Sequence, residues 1–270
     1  MIKSFNITKV WMKSFETVMD FANTSAYSKP NYEQLLDMNK IHQIWWNVGV
    51  MQKSEILYIF KNNSGSSNFS RINHLNPSAY LMGLVSSPTF SATRGFTSTG
   101  AGYLATGFAM SAGTLISQND SAIATYIDTS FNSPELPYGV EETAGANRTL
   151  LVPRNGGTQT FAINGATDGT PGNGGAYTLS DSKFYYMIER SGSTTSVLRR
   201  NDSGTNTSSN TSSARCTKTI DLLCFKNSAG TRAAFLTSAY MSHFWVGQVL
   251  TATQRASFYS LISNYDTIYS

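Results

Sequence analysis

From Glu55 to the last twenty residues, the chain is a succession of short segments rich in β-branched and aromatic residues, each bounded by Gly, Asn, Ser or Pro. Such segments predict β-strands joined by polar turns. Because no helical periodicity separates them, the pattern indicates an antiparallel sandwich or barrel. The segments are EILYIFK, SAIATYID, RTLLVPR, TQTFAIN, KFYYMIER, TTSVLRR, TKTIDLLCF, RAAFLT and SHFWVGQVL.

Helical patterns occur only near the two ends. Asn31 can cap a helix over about 32–47, whose stripe is Met38, Ile41, Ile44, Trp45 and Val48. Residues 1–30 fit a helix or a strand equally well. Near the C-terminus, Thr251 and Gln254 match a capping box before an apolar stripe. We expect this stripe, Phe258, Leu261, Ile262 and Tyr265, to be buried, and Arg255 and Ser260 to face outward. We therefore divide the chain into a helical segment, 1–52, and a β-domain, 53–270.

Two further stretches, one rich in glycine and one of low complexity, contain no long apolar run. In Ser86–Phe108 the glycines lack the Gly-Lys-Ser/Thr step of a phosphate loop and the spacing of a dinucleotide fingerprint, so we expect β-structure with glycine turns. The low-complexity stretch 201–213 predicts a long exposed loop.

Charge and composition exclude several classes of partner. Charged residues make up 13% of the chain, and the formal net charge of +4 is evenly spread. Nucleic acid requires a concentrated basic patch, so none is expected as a partner. No apolar run approaches the ~20 residues of a membrane helix, and the N-terminus lacks the apolar region of a secretory signal.

No motif predicts catalysis or a cofactor. The acids that could serve a glycosidase do not form an alternating pattern along one strand, and the adjacent pair Glu141–Glu142 is assigned to a solvated turn or edge. No nucleophile motif is present, so an enzyme is not expected. The acids considered are Glu135, Glu141, Glu142, Asp181 and Glu189.

Metal binding is not predicted either. The three histidines, His42, His74 and His243, lie far apart in sequence and are interpreted as structural. Cys216 and Cys224 lie on one strand-like segment, too far apart for a disulfide. The loop with Asp168 and Asn173 lacks the carboxylates of a tight calcium site.

Two regions of the sequence resemble a family of tailed-bacteriophage virion proteins that carry a concanavalin A-like, laminin-G-like jelly roll. The matching motifs are Asn73 to Pro77, Ser87 to Phe90, Gly95–Phe96 and Tyr103 to Phe108. The C-terminal stretch FWVGQVLTATQRASFYSLISNY looks like the closing strand and helix of these jelly rolls. Ser54–Glu55 stands where the family carries an Asp, and no sugar or calcium ligands transfer. The resemblance implies an antiparallel jelly-roll sandwich with an N-terminal helical segment and a C-terminal amphipathic helix.

What the resemblance implies for function is a structural virion protein of a tailed phage, in the capsid, a head fibre or the tail. Its partners would be other virion proteins and sister subunits, and its location the virion, assembled in the bacterial cytoplasm. The alternative is a carbohydrate-binding module for host attachment, with Tyr138, Tyr177 and Tyr185 as candidate stacking residues. A polysaccharide-degrading enzyme is the third and least favoured hypothesis.

The aromatic residues of the N-terminal segment are candidates for anchoring to the particle or to another subunit. They are Trp11, Phe15, Trp45 and Trp46. An isolated jelly roll buries its own sheets, so we predict that part of residues 1–30 orders only against a partner and is cleaved by protease in the free chain. The alternative is that the helix at 32–47 caps the sandwich within the same chain.

Overall fold

The computed structural model describes residues 12–61, 66–156, 158–166, 184–202 and 204–268. Two sheets pack face to face and enclose the main core, which confirms the mainly β sandwich. Nearly all neighbouring strands are antiparallel, as in a jelly roll. None of the helices in these ranges is long and apolar enough to cross a membrane.

Sheet A has the strand order β12-β11-β10-β6-β16-β4-β3, and β1 also pairs with β16. Its strands are β1 (Ser54–Ile59), β3 (Thr89–Ser91), β4 (Gly95–Thr97), β6 (Ser121–Ile127), β10 (Tyr185–Arg190), β11 (Ser196–Arg200), β12 (Gly204–Ser208) and β16 (Met241–Gly247).

Sheet B has the order β15-β14-β7-β13-β5-β2, and β8 and β9 extend it from β7. Its strands are β2 (Gly83–Val85), β5 (Tyr103–Ala109), β7 (Tyr138–Thr143), β8 (Ala146–Asn155), β9 (Thr158–Gly165), β13 (Thr219–Leu222), β14 (Phe225–Lys226) and β15 (Arg232–Ala233).

The central strands of sheet A, β1, β6, β10 and β16, are buried on both faces, which explains their nearly continuous apolar sequences. In β1, Tyr58 faces the core between the sheets, whereas Leu57 and Ile59 face a second core beneath the helices. The helices are α1 (Lys13–Thr24), α2 (Tyr32–Asn47), the short α3 (Ser67–Ser70) and α4 (Ala252–Ile268). Residues of α1, α2 and α4 share this second core with sheet A.

Both predicted helix caps are confirmed. The Asn31 side chain accepts a hydrogen bond from Gln34 N at the start of α2. Before α4, Gln254 N donates to Thr251 Oγ1 while Thr251 N donates to Gln254 Oε1, which is the reciprocal bonding of a capping box. The ambiguous N-terminal pattern resolves as a helix, with its described apolar face buried.

The glycine-rich stretch forms β-structure, as expected. Gly95 begins β4 at φ +99°, and a Cβ there would lie 2.1 Å from the Met241 carbonyl oxygen of β16. Only glycine allows both this backbone conformation and this close approach.

The exposed loop predicted at 201–213 is wrong in part. Residues Gly204–Ser208 form β12, which pairs antiparallel with β11. Ser208 and Asn210 are buried there. Polar composition concealed this strand, because its position in the sheet follows from backbone pairing with β11.

Candidate functional site

A cleft of about 150 Å³ opens between α4 and the outer face of sheet A. We call it the tyrosine cleft. Its lining combines three phenol rings with one amide, one hydroxyl and one alkyl side chain. The lining residues are Tyr126, Tyr185, Asn201, Tyr259, Ile262 and Ser263.

Strand register and helix periodicity bring this lining together. Tyr126 of β6 and Tyr185 of β10 are directly paired, so both side chains lie on the helix-covered face of sheet A. On α4, Tyr259 and Ser263 are four residues apart and therefore share one face of the helix. The floor of the cleft is thus strand, and one wall is helix.

Asn201 closes the strand end beside the cleft. It adopts a left-handed conformation at φ +47°, which asparagine tolerates better than most residues. Its Oδ1 accepts a hydrogen bond from Tyr185 N at 3.1 Å, and its backbone N donates to Tyr185 O at 3.0 Å. Its Nδ2 group makes no hydrogen bond to another described residue, so this donor is available to a ligand.

Aromatic rings support the cleft from below. The centroid of the Tyr185 ring lies 5.4 Å from that of Tyr259 and 5.9 Å from that of His243. The Tyr126 ring stacks on the same His243 ring, with 6.2 Å between the centroids. The Tyr185 hydroxyl is buried and bonds to no described residue. Burial, followed by the charges of Glu189 and Asp202, raises the pKa of Tyr185, so its phenol stays protonated.

The histidine of this stack is uncharged at neutral pH. Burial, with a smaller contribution from the charge of Lys61, lowers the pKa of His243 to about 3. A neutral imidazole completes an apolar stack and does not attract anions into the cleft.

A balanced network of charges lies beside the cleft. Glu189 bonds Arg199 at 2.5 Å and Arg255 at 3.5 Å, and Arg255 lies 3.4 Å from Asp202. Two carboxylates thus face two guanidinium groups. The network ties α4 to β10 and to the residue that follows Asn201, and its own charges sum to zero.

Arg255 corrects an expectation about α4. The helix periodicity placed it outward, whereas it is half-buried in this network and also donates to Leu250 O. Phe258, Ile262 and Tyr265 are buried as predicted, Leu261 is half-buried, and Ser260 is exposed.

The three tyrosines considered for sugar stacking have different outcomes. Tyr185 lines the cleft, although its ring is almost wholly covered. Tyr138 belongs to the core between the sheets and is 1% exposed, so it has no surface for a sugar. Tyr177 lies outside the described residues. Sequence reasoning missed Tyr126, Asn201, Tyr259 and Ser263, and the available signal was that Tyr259 lies next to Phe258 of the apolar stripe.

The four residues predicted as anchors also differ in position. Phe15 and Trp45 are fully buried within the chain's own second core, where Trp45 stacks on Phe258 at 4.3 Å. For these two side chains, the burial favours the alternative that the N-terminal helices cap the sandwich of their own chain. Trp46 is 50% exposed, and Trp11 lies outside the described residues. Anchoring by any of the four stays a prediction.

The described acids among the five considered for catalysis stabilise loops and strands. Glu135 accepts hydrogen bonds from Thr237 and Ser238. The prediction that Glu141 is solvated is wrong. Glu141 is buried, and its Oε2 lies 2.9 Å from Arg148 Nε. Asp181 lies outside the described residues.

Glu142 holds a neighbouring segment of the chain. Although burial alone would raise its pKa, hydrogen bonds from Thr217, Cys216 and Lys218 lower the pKa of Glu142 to about 2. Among the residues that the structure describes, no three His, Cys, Asp or Glu side chains form a metal-binding group.

No protein-family model matches the chain, and no curated protein matches it in sequence. Solved structures that are similar in shape include the following two. The receptor binding domain of botulinum neurotoxin D is 12% identical with a TM-score of 0.52, over 78% of this chain and 53% of that one. A mutant Trypanosoma rangeli sialidase displaying trans-sialidase activity is 9% identical with a TM-score of 0.51, over 86% of this chain and 39% of that one.

The likeness is one of fold. It supports the β-sandwich that the virion resemblance implied. The chain spans about half the length of the toxin domain and well under half of the sialidase.

Proposed function

We propose that this chain is a glycan-binding domain whose tyrosine cleft holds one uncharged sugar residue. The observation that carries the proposal is the joining of three tyrosine rings with the Asn201 amide and the Ser263 hydroxyl in one cleft. Sugar rings present apolar C–H faces, which pack on aromatic rings, and hydroxyls, which bond to amides and phenols.

The size of the cleft determines how much of a glycan enters. Pockets for drug-sized ligands typically occupy roughly 300–1,000 Å³. A cleft of about 150 Å³ is smaller and suits a single ring. We therefore propose that a terminal residue enters and that the rest of the glycan leaves along the surface.

The charges beside the cleft favour a neutral sugar. The carboxylates of Glu189 and Asp202 are balanced by Arg199 and Arg255, and His243 is neutral. An acidic sugar would need an unpaired cation here to repay the loss of its hydration. The shared fold adds support, because one similar structure is named as a receptor-binding domain and the other as a sialidase.

A glycan array that includes bacterial surface polysaccharides tests the proposal, followed by titration of the best glycan. Tyr259→Ala removes a wall of the cleft and should weaken binding about tenfold, since an aromatic contact contributes roughly 0.5–1.5 kcal/mol beyond its buried area. Tyr259→Phe removes only the hydroxyl and should weaken it less. Tyr32→Ala, an exposed tyrosine of α2, is the matched control. A blank array, or equal affinity of Tyr259→Ala and the control, contradicts the proposal.

The proposal is one of binding without turnover. The cleft lining offers phenols, an amide and a hydroxyl, and the described carboxylates beside it, Glu189 and Asp202, are paired with arginines. We expect no new reducing ends when the chain is incubated with the glycans that it binds. Release of soluble product would instead support the polysaccharide-degrading alternative.

A structural role in a tailed-phage virion is the second candidate, and it is compatible with host attachment through a glycan. Its support is the resemblance of Asn73 to Pro77 and Tyr103 to Phe108, together with the exposed Trp46 and Tyr32 on α2. Sister subunits and other virion proteins would be the partners of this surface. A mass-spectrometric inventory of purified particles tests it, because absence of this polypeptide removes the candidate.

A further inference from the structure

A row of polar side chains crosses four neighbouring strands at one end of sheet A. Strand register aligns Ser121 of β6 with Arg190 of β10, Arg190 with Ser196 of β11, and Ser196 with Ser208 of β12. All four are buried, and Ser121, Arg190 and Ser196 are completely so. We call these residues, with Asn164 of β9, the Arg190 cluster.

Arg190 bonds only to backbone carbonyls in the described part of the chain. Its Nε donates to Ile163 O at 2.6 Å, and its Nη1 donates to Asn210 O at 3.0 Å and Gly192 O at 3.4 Å. Its Nη2 is buried and bonds to no described group. The guanidinium therefore spans the two sheets and keeps unused donors.

The rest of the cluster adds further donor hydrogens. Ser196 Oγ is buried and bonds to no described residue. Ser121 Oγ accepts from Asn164 Nδ2 at 3.0 Å, which leaves its own proton available. Asn164 Oδ1 is an acceptor without a described partner. The two Nη2 hydrogens and the two hydroxyl hydrogens are thus four donors without a described acceptor, which suits a ligand that only accepts.

The charge of Arg190 leads to the same conclusion. Several other arginines lie against a carboxylate, as Arg94 does with Asp128 at 2.6 Å and Arg148 with Glu141 at 2.9 Å. Among described residues, no carboxylate pairs with Arg190. Burial lowers its pKa, yet arginine remains protonated in proteins. A buried charge without a partner is costly unless a counter-ion accompanies it.

We infer that the Arg190 cluster binds a small monovalent anion of the size of chloride. The Nη2 hydrogens and the Ser196 hydroxyl are its donors. The bound anion neutralises the guanidinium and fixes β9 of sheet B against β10 and β11 of sheet A. The site lies between the sheets, whereas the tyrosine cleft lies on the outer face of sheet A, so this inference is independent of the proposed function.

Crystals of the unmodified chain soaked in bromide test the inference directly. The expected result is an anomalous peak within hydrogen-bond distance of Arg190 Nη2. A water molecule in that place, with no anomalous signal, would overturn the inference.

Thermal unfolding provides a second measurement. At equal ionic strength, sodium chloride should raise Tm by a few degrees over sodium gluconate, whose anion is too large for a buried site. Arg190→Met should remove this difference. Arg215→Met is the matched control, because Arg215 also binds backbone carbonyls but is partly exposed, and it should retain the difference. Equal Tm values of the unmodified chain in the two salts contradict the site.

Discussion

The three histidines show how single residues set the conditions under which the chain is stable. His42 Nε2 lies 3.3 Å from His74 Nδ1, and Ser14 Oγ lies 3.0 Å from His42 Nδ1, so the pair joins α1, α2 and the segment after α3. Burial lowers the pKa of His74 and of His243 to about 3, and burial followed by the neighbouring His74 lowers that of His42. All three are therefore neutral in the folded chain at pH 7.

This neutrality predicts acid lability. Unfolded histidines titrate near pH 6.5, so between about pH 6.5 and 3 the unfolded chain binds more protons than the folded chain. The free energy of unfolding should fall by about 1.4 kcal/mol per pH unit for each histidine as the pH drops through this window. Urea titrations at pH 7.5, 6 and 5 measure the slope.

A substitution separates the histidines from other titrating groups. His74→Gln removes one of the three groups and should reduce the slope between pH 6.5 and 5 by about a third. Exposed carboxylates titrate mainly below this range. A free energy of unfolding that is equal at pH 7.5 and 5 would contradict the buried neutral state.

Gly95 provides a second test at the residue scale. Gly95→Ala should destabilise the chain by more than Gly100→Ala, although both glycines have positive φ. The open space around Gly100 means that its substitution costs backbone strain alone, about 1 kcal/mol. At Gly95 the added Cβ also collides with Met241 O and forces β4 away from β16. Equal melting temperatures of the two variants would refute the collision.

At the scale of elements, the centre of the contact between α4 and the rest of the chain is the Phe258 ring. Phe258 is fully buried, lies parallel to Trp45 and meets the Trp245 ring edge-on at 5.1 Å. Phe258→Ala should therefore lower the free energy of unfolding by roughly 3–5 kcal/mol. Ser260→Ala, on the exposed side of the same helix, is the control. Denaturant titration measures both, and an unchanged midpoint for Phe258→Ala would show that α4 is peripheral.

Local signals predicted α2 and α4 well, because caps and 3.6-residue periodicity lie within one segment of sequence. The same kind of signal failed for β12, which is polar and is held by pairing with β11. Local sequence also misplaced Tyr138, which was a candidate for stacking on sugars but is buried between the sheets. Alternation along β7 does not reveal which face of the strand meets the other sheet. Partners distant in sequence decide such cases.

At the scale of the whole molecule, the helical layer makes sheet A a buried middle layer. Phe15, Val18 and Ala22 of α1 belong to the same core as the outer face of sheet A. We expect α1 to resist limited proteolysis in the isolated chain, in contrast to the sequence-based prediction that part of residues 1–30 orders only against a partner. Early cleavage within Lys13–Thr24 would support that prediction and a role of this segment in assembly.

The tyrosine cleft also exists only at this scale. Tyr126, Tyr185, Asn201 and Tyr259 come from β6, β10, the turn after β11 and α4. Their spacing carries no motif, so only the register of sheet A and the docking of α4 bring them together. The sequence could therefore suggest sugar binding through aromatic content but could not locate the site.

The most direct test of the central proposal is a crystal structure of the chain with its tightest-binding glycan from the array. We predict density for one terminal, uncharged sugar in the tyrosine cleft. The sugar ring should pack on Tyr259, and one of its hydroxyl oxygens should accept a hydrogen bond from Asn201 Nδ2. A glycan bound at the outer face of sheet B, or at any site that leaves the cleft empty, would contradict it.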